Sequence, residues 1–355
     1  MTTEERVVAA LNYEEPDRVP VWTIIDNAQV YRHFAPERFN FSKIRESREE
    51  LPSDFLELAG ETFNALGIDV TFAWGGMNPF PYEEFPGKTK WANPHPYRTI
   101  SDLAHYTPEI PSYESIVNRY VKSFRELEQV MKPHTVLIIQ GGCSLELGYN
   151  HIGIELFCIA LYEAPRDIAR ILDAFSEGER ARAQVYADYQ LAPAYQISCD
   201  IGDKKGTIFS PAFLKRELIP RLEKEIEPIK QAGIKVIFHS DGNIMSILDD
   251  LVDAGIDGLN PIEPSAGMDL AFLKKRYGKN LILVGNVDAV GVLPSGTPQQ
   301  VEEEVKRCIR EGAPGGGYFL DTGAAEIMPS FPVENVLSMF KAVREYGRYP
   351  ISRNL

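Results

Sequence analysis

The segment IKVIFHSDGN, Ile234 to Asn243, ends an apolar run on His239-Ser240-Asp241-Gly242. An imidazole and a carboxylate two residues apart can hold a cation such as Zn²⁺, or share a proton as general acid and base. Residues two apart on a strand project to the same side, and a glycine beyond them permits a sharp turn. Other apolar runs also stop on polar residues: Asp200 after AYQISC, Asn260 and Glu263 in IDGLNPIEP, Asn286 and Asp288 in NLILVGNVD. Closely spaced carboxylates raise one another's pKa, which keeps one of them protonated as a donor near neutrality. The candidate catalytic residues are therefore Asp200, His239, Asp241 and Glu263, with His239, Asp241 and Glu263 as candidate metal ligands. Asn260 and Asn286 are candidates for orienting a substrate. A histidine satisfied by a neighbouring carboxylate for structural reasons is the alternative, and Asp26, Asp288 and Asp321, taken singly, read first as caps or turn residues, as do Asn243 and Asp269.

These residues need elements that bring them together. Eight short apolar runs followed by turn chemistry read as strands: RVPVWTIID, IDVTFAWGG, HTVLIIQGG, AYQISCDIG, IKVIFHSDG, IDGLNPIEP, NLILVGNVD and GGYFLDTGA. Most follow an amphipathic stretch with apolar residues every three or four positions and a glycine stop, such as FLKRELIPRLEKEIEPIKQAG before the fifth. Regular alternation with nearly continuous apolar strands implies parallel pairing under a coat of helices, and eight units suggest closure into a (β/α)₈ barrel. The glycine-rich phosphate turn of a dinucleotide-binding sheet is missing after the first strand, where the chain reads IIDNAQVYRHF. Strand ends of a (β/α)₈ barrel meet at one mouth, so the polar residues above converge there.

The expected organisation is a single barrel domain over residues 1–355, with a helical extension at 1–16 and a long loop plus helical insertion at 74–130. That insertion opens with the aromatic, Pro- and Gly-rich stretch WGGMNPFPYEEFPGKTKWANPHP, of the kind used as a lid or binding loop. Trp74 and Tyr149 are the candidate pocket aromatics, although most aromatic residues in a barrel are core.

Composition narrows the function classes. With 44% hydrophobic and 25% charged residues the chain can bury a large core. A formal net charge of -14 argues against nucleic-acid or anionic-membrane binding, which needs clustered Lys and Arg. There is no long apolar membrane span, and the first residues do not form a secretory signal, so a cytoplasmic protein is expected. Four cysteines, Cys143, Cys158, Cys199 and Cys308, are too few and scattered for a disulfide scaffold, and none forms a C-x-x-C pair.

The N-terminal EERVVAALNYEEPDRVPV, the central IFSPAFLKRELIPRLEKEIEPIKQAGIKVIFHSDGN, then NPIEPSAGMD and GGGYFLDTGAAEIMPSFPVENV resemble, in order, the uroporphyrinogen decarboxylase superfamily, and within it the cobalamin-dependent methyltransferases. The resemblance covers nearly the whole chain and implies the same barrel. Two departures shape what else it implies. The decarboxylases carry an Arg-containing segment after the first strand that helps hold tetrapyrrole carboxylates; here Asp26 and Asn27 stand in that neighbourhood, unfavourable to a polyanion. The thiol methyltransferases carry His-x-Cys-Gly after the fifth strand and a further Cys after the eighth as zinc ligands. This chain keeps His239 but has Asp241, and Ala324 or Ala325, where those sulfurs would be. Oxygen in place of sulfur makes any metal site harder and less suited to a thiolate acceptor. The resemblance thus implies methyl transfer in the other direction, from a small methoxylated, aromatic donor to cob(I)alamin, giving methylcobalamin, with Zn²⁺ as a possible cofactor. This chain contains no corrinoid-binding D-x-H-x-x-G motif, so the cobalamin is expected on a separate corrinoid protein. A decarboxylase acting on a small acid or porphyrinogen-like substrate without corrinoid is the alternative.

Overall fold

The computed structural model describes residues 1–35, 53–73 and 97–352. Seven parallel strands form one sheet in the order β10-β9-β8-β7-β4-β3-β2. In chain order these are β2 (Val70–Phe72), β3 (Val136–Gly142), β4 (Ala194–Ser198), β7 (Lys235–His239), β8 (Gly258–Asn260), β9 (Ile282–Val287) and β10 (Tyr318–Thr322). The eighth position belongs to the segment before β1 (Ile24–Ile25): Val21 bridges to Leu320 of β10 and Trp22 to Val70 of β2, both in parallel. That two-sided pairing closes the sheet, and all eight expected strand segments lie around the resulting (β/α)₈ barrel.

Closure is stabilised at its seam. Asp69, 1% exposed, receives Arg6 at 2.9 Å and Arg18 at 2.7 Å, and its Oδ2 also accepts from Val21 N at 2.9 Å. Every charge that this aspartate meets is opposite in sign, so the helix Thr3–Leu11 and the Val21–Trp22 segment are tied to the foot of β2. Arg6 also grips Asp17, whose carboxyl this contact holds down at about 2.

The barrel interior is a separate apolar cluster of Trp22, Val70, Phe72, Ile138, Ala194, Ile237, Ile282, Val284 and Phe319. Trp22 stands at its centre, edge-on to Phe319 at 5.4 Å and to Phe72 at 6.2 Å. Alternate residues such as Val236, Phe238, Leu283 and Leu320 pack outward against the helices. An interior filled by side chains leaves only the carboxyl ends of the strands for chemistry.

Two small additions rise at that end. β5 (Gly202–Asp203) and β6 (Gly206–Thr207) form an antiparallel hairpin immediately after β4. β1 pairs in parallel with β11 (Glu326–Ile327), extending the seam over the rim. Cys143, buried at the start of helix Ser144–Ile152, is joined to Cys199 by a disulfide across 56 residues of sequence. Scattered spacing hid this pair, because β3 and β4 are neighbours in the sheet but not in the chain.

Candidate active site

The direction of His239 follows from strand alternation. Ile237 lies inside the barrel while Val236 and Phe238 face the helices, so His239, in phase with Ile237, points into the mouth. Register does the rest: Ser198 of β4 is opposite His239, and His239 is opposite Asn260 of β8.

His239 Nδ1 lies 2.7 Å from Asn260 Oδ1. An amide oxygen only accepts, so Nδ1 donates to it and the ring is oriented with Nε2 toward the mouth. Nε2 faces Asp200, 3.7 Å from Oδ1. Asn260 is fully buried and its amide donates to Asp321 Oδ2 at 3.4 Å. Burial drives the Asp321 carboxyl well above its ordinary range, against hydrogen bonds from Thr23, Thr322 and Asn260. Asn260 therefore orients the imidazole from behind, and Asp321 supports Asn260.

Asp200 and Asp241 complete a three-residue group. One ligand atom from each of Asp200, His239 and Asp241 lies within 4.8 Å of the others. Asp200 Oδ1 also accepts from Asp241 N at 2.9 Å, which fixes the turn carrying the second carboxylate. Gly242, with φ +81°, makes that turn possible: a Cβ there would sit 2.4 Å from the Gly202 carbonyl carbon. Asp241 keeps contact with solvent through the mouth. Desolvation nevertheless raises its carboxyl, opposed by His239 and reinforced by the Asp200 and Glu263 charges. One nitrogen and two carboxylate donors fit a divalent cation of borderline or hard character such as Zn²⁺.

The other sequence candidates occupy different places. Glu263 is outside the three-residue group: its Oε2 accepts from Gly242 N at 2.9 Å and its Oε1 from the Ser265 hydroxyl, so it holds the turn. Tyr149 is buried and donates its hydroxyl to the Asp200 carbonyl at 2.6 Å, bracing that backbone from below. Asn286 turns away from the mouth; its Oδ1 accepts from Arg307 at 3.1 Å on the helix Pro298–Gly312. Trp74 lies outside the described residues. Asp269 caps helix Leu270–Tyr277 through Phe272 N, and Asp288 accepts from Val290 N and Gly291 N.

Two carboxylates absent from the sequence candidates stand beside the cluster. Glu146, on helix Ser144–Ile152, accepts from Asp200 N at 3.3 Å. Burial pushes its carboxyl up to about 7, helped by the charge of Asp200. Glu326 of β11 is likewise raised to about 7, by burial and then by Asp26 and Asp241. The signal for Glu146 was its place three residues before Tyr149, on the same helical face. Glu326 lies within DTGAAEI, beyond the strand end that Asp321 and Thr322 mark.

The sequence of residues 80–346 matches the family model described as uroporphyrinogen decarboxylase (URO-D). The chain belongs to the URO-D family. Family relatives of two kinds are similar to it. A uroporphyrinogen decarboxylase from Alkalilimnicola ehrlichii is 23% identical, over 96% of this chain and 93% of its own length. A methylcobamide:CoM methyltransferase, MtaA, from Methanosarcina barkeri is 32% identical over 39% of this chain and 38% of its own. Among solved structures, a methyltransferase from Methanosarcina mazei superposes with a TM-score of 0.72 at 20% identity, over 98% of this chain and 99% of that one. This URO-D family member thus shares the barrel fold across its length. Among its described residues no helix is long and apolar enough to cross a membrane.

Proposed function

We propose that this URO-D family enzyme removes a methyl group from a small methoxylated, aromatic donor and passes it to cob(I)alamin held by a separate corrinoid protein. The observation that carries the reading is the pairing of an oriented imidazole with two carboxylates, Asp200 and Asp241, at the carboxyl end of the barrel strands. The similarity to methylcobamide:CoM methyltransferases, including a second one, MtbA, from Methanosarcina mazei at 26% identity over 37% of this chain, supports methyl transfer.

Cob(I)alamin attacks the methyl carbon, the carbon–oxygen bond breaks, and the oxygen leaves as an alkoxide or phenolate unless it is protonated or bound. With a proton from the enzyme the products are methylcobalamin and the free alcohol or phenol, which balances the reaction. Asp241 and Glu146, both raised by desolvation, hold protons closer to neutrality than ordinary carboxylates, and so are suited to supply one to a leaving oxygen. A Zn²⁺ ion would be held by His239 Nε2, Asp200 and Asp241; when bound it supplies a Lewis acid for the same oxygen. His239 fixes the geometry in either case, and Asn260 fixes His239.

The test combines cob(I)alamin with the protein and a panel of methoxyarenes, methylamines and methanol, reading methylcobalamin by its visible spectrum. Turnover with methoxyarenes that falls by about a hundredfold or more in His239→Ala and Asp241→Ala is the expected result. Unimpaired transfer in both variants overturns the mechanism. The full-length similarity to a uroporphyrinogen decarboxylase favours a second reading, decarboxylation of a small acid; CO₂ release without cobalamin establishes that one.

A further inference from the structure

We infer that the hairpin of β5 and β6 is the docking element for the protein that brings cob(I)alamin, and that its Lys204–Lys205 tip receives an acidic patch on that partner. The inference rests on the methyl-transfer reading above and names the surface which that reading requires.

The hairpin leaves the barrel directly after Asp200, so its tip stands on the rim of the proposed site. It is preformed. Asp203 Oδ1 accepts from Lys205 N at 2.6 Å and from Gly206 N at 3.1 Å, closing the turn. Asn243 N donates to Asp203 O at 2.8 Å, and Gly202 meets Gly242 backbone to backbone. The hairpin is therefore fastened to the turn that carries Asp241, and anything seated on it is placed relative to the reacting groups.

Its charge is the anomaly. The mouth presents Asp200 and Asp241, and the whole chain carries a net charge of -14. Against that field Lys204 and Lys205 are both exposed, and neither ammonium has an ion pair among the described residues. The next cations along the chain are engaged, Lys215 with Asp250 at 2.9 Å and Arg216 with Glu217 at 2.8 Å. Ile208, 51% exposed at the foot of the hairpin, adds an apolar contact next to the charged tip. An acidic partner is repelled by the carboxylates of the mouth and attracted by this tip, which biases its orientation as well as its encounter rate. Adjacent unpaired lysines have no comparable use for a small neutral methoxyarene.

The experiment uses the full chain, free cob(I)alamin, and a panel of corrinoid carrier proteins loaded with cob(I)alamin, keeping the carrier that wild type methylates fastest. Lys204→Glu/Lys205→Glu is compared with Lys275→Glu/Lys279→Glu, which makes the same change in net charge at the opposite end of the barrel. The hairpin variant is expected to lose about tenfold or more in kcat/KM with the carrier at low ionic strength. It should also show a flatter salt dependence while keeping the wild-type rate with free cob(I)alamin. Equal rates with the carrier, an equal loss in the Lys275/Lys279 control, or a parallel loss with free cob(I)alamin each overturn the docking role. Wild-type protein inactive with free cob(I)alamin and with every carrier overturns the methyl-transfer reading itself, and this inference with it.

Discussion

His239 is useful because of what stands behind it. The 2.7 Å contact to Asn260 fixes the orientation of the ring, and Asn260 has no solvent contact of its own. Asn260→Ala leaves Nδ1 without its acceptor, so the imidazole is free to turn. Methyl transfer is expected to fall by about 10- to 100-fold with the KM for the methyl donor nearly unchanged. A rise in KM with constant kcat shows instead that Asn260 contacts the substrate, as its position at a strand end first suggested. The same strand-end logic failed for Asn286, which serves Arg307. Both asparagines close apolar runs; which way each points is decided by neighbours from other strands and helices.

At the level of elements, the barrel is held shut by a short seam. The described residues Pro20 to Thr23 hydrogen-bond to Leu320 and Val70 of the two edge strands, and the buried Arg6–Asp69–Arg18 set is a further tie at that seam. Asp69→Ala leaves two guanidinium groups facing a buried hole, and about 3–5 kcal/mol of stability is expected to be lost in chemical denaturation. The cysteine pair is the second such tie. It links the helix that carries Glu146 and Tyr149 to the residue before Asp200. In the chain-entropy model a cross-link of this span stabilises by about 4 kcal/mol. Cys199→Ser should lower the unfolding midpoint of oxidised protein and leave reduced wild type and reduced variant close together. The strands were readable from their β-branched runs, whereas the cysteine partners were not, since sheet neighbours leave no trace in spacing.

For the whole molecule, acidity shapes stability as well as docking. Glu225, 1% exposed, belongs to the helix Ile219–Gln231, which packs against Pro165–Asp188, and its Oε2 has no hydrogen-bond partner among the described residues. Burial raises its carboxyl to about 7, with the Glu179 charge acting in the same direction and Ser144 and Ser176 opposing. The folded state thus keeps this proton over a range where the unfolded chain, titrating near 4.5, has released it. Stability is therefore lost as pH rises from about 4.5 through about 7. Glu225→Gln keeps the shape and removes the ionisation. Its melting temperature is expected to match wild type near pH 5 and exceed it by about 2 °C or more at pH 8. A gap that stays constant with pH excludes Glu225 as the source.

The sequence by itself determined the number and order of the strands, the helices between them, and the position of His239 and Asp241 where an apolar run stops. Those features are local, set by side-chain periodicity and turn chemistry within about ten residues. The URO-D resemblance was legible for the same reason, in ordered motifs along the chain. Only the tertiary structure decided that Asp200 joins His239 and Asp241, and that Glu263 and Tyr149 brace the turn and backbone around them. It also brought in Glu146 and Glu326 and turned Asn286 away. Those outcomes depend on register between strands far apart in sequence and on which side of the ladder each last residue falls. A one-residue slip of β7 would turn His239 away from the mouth.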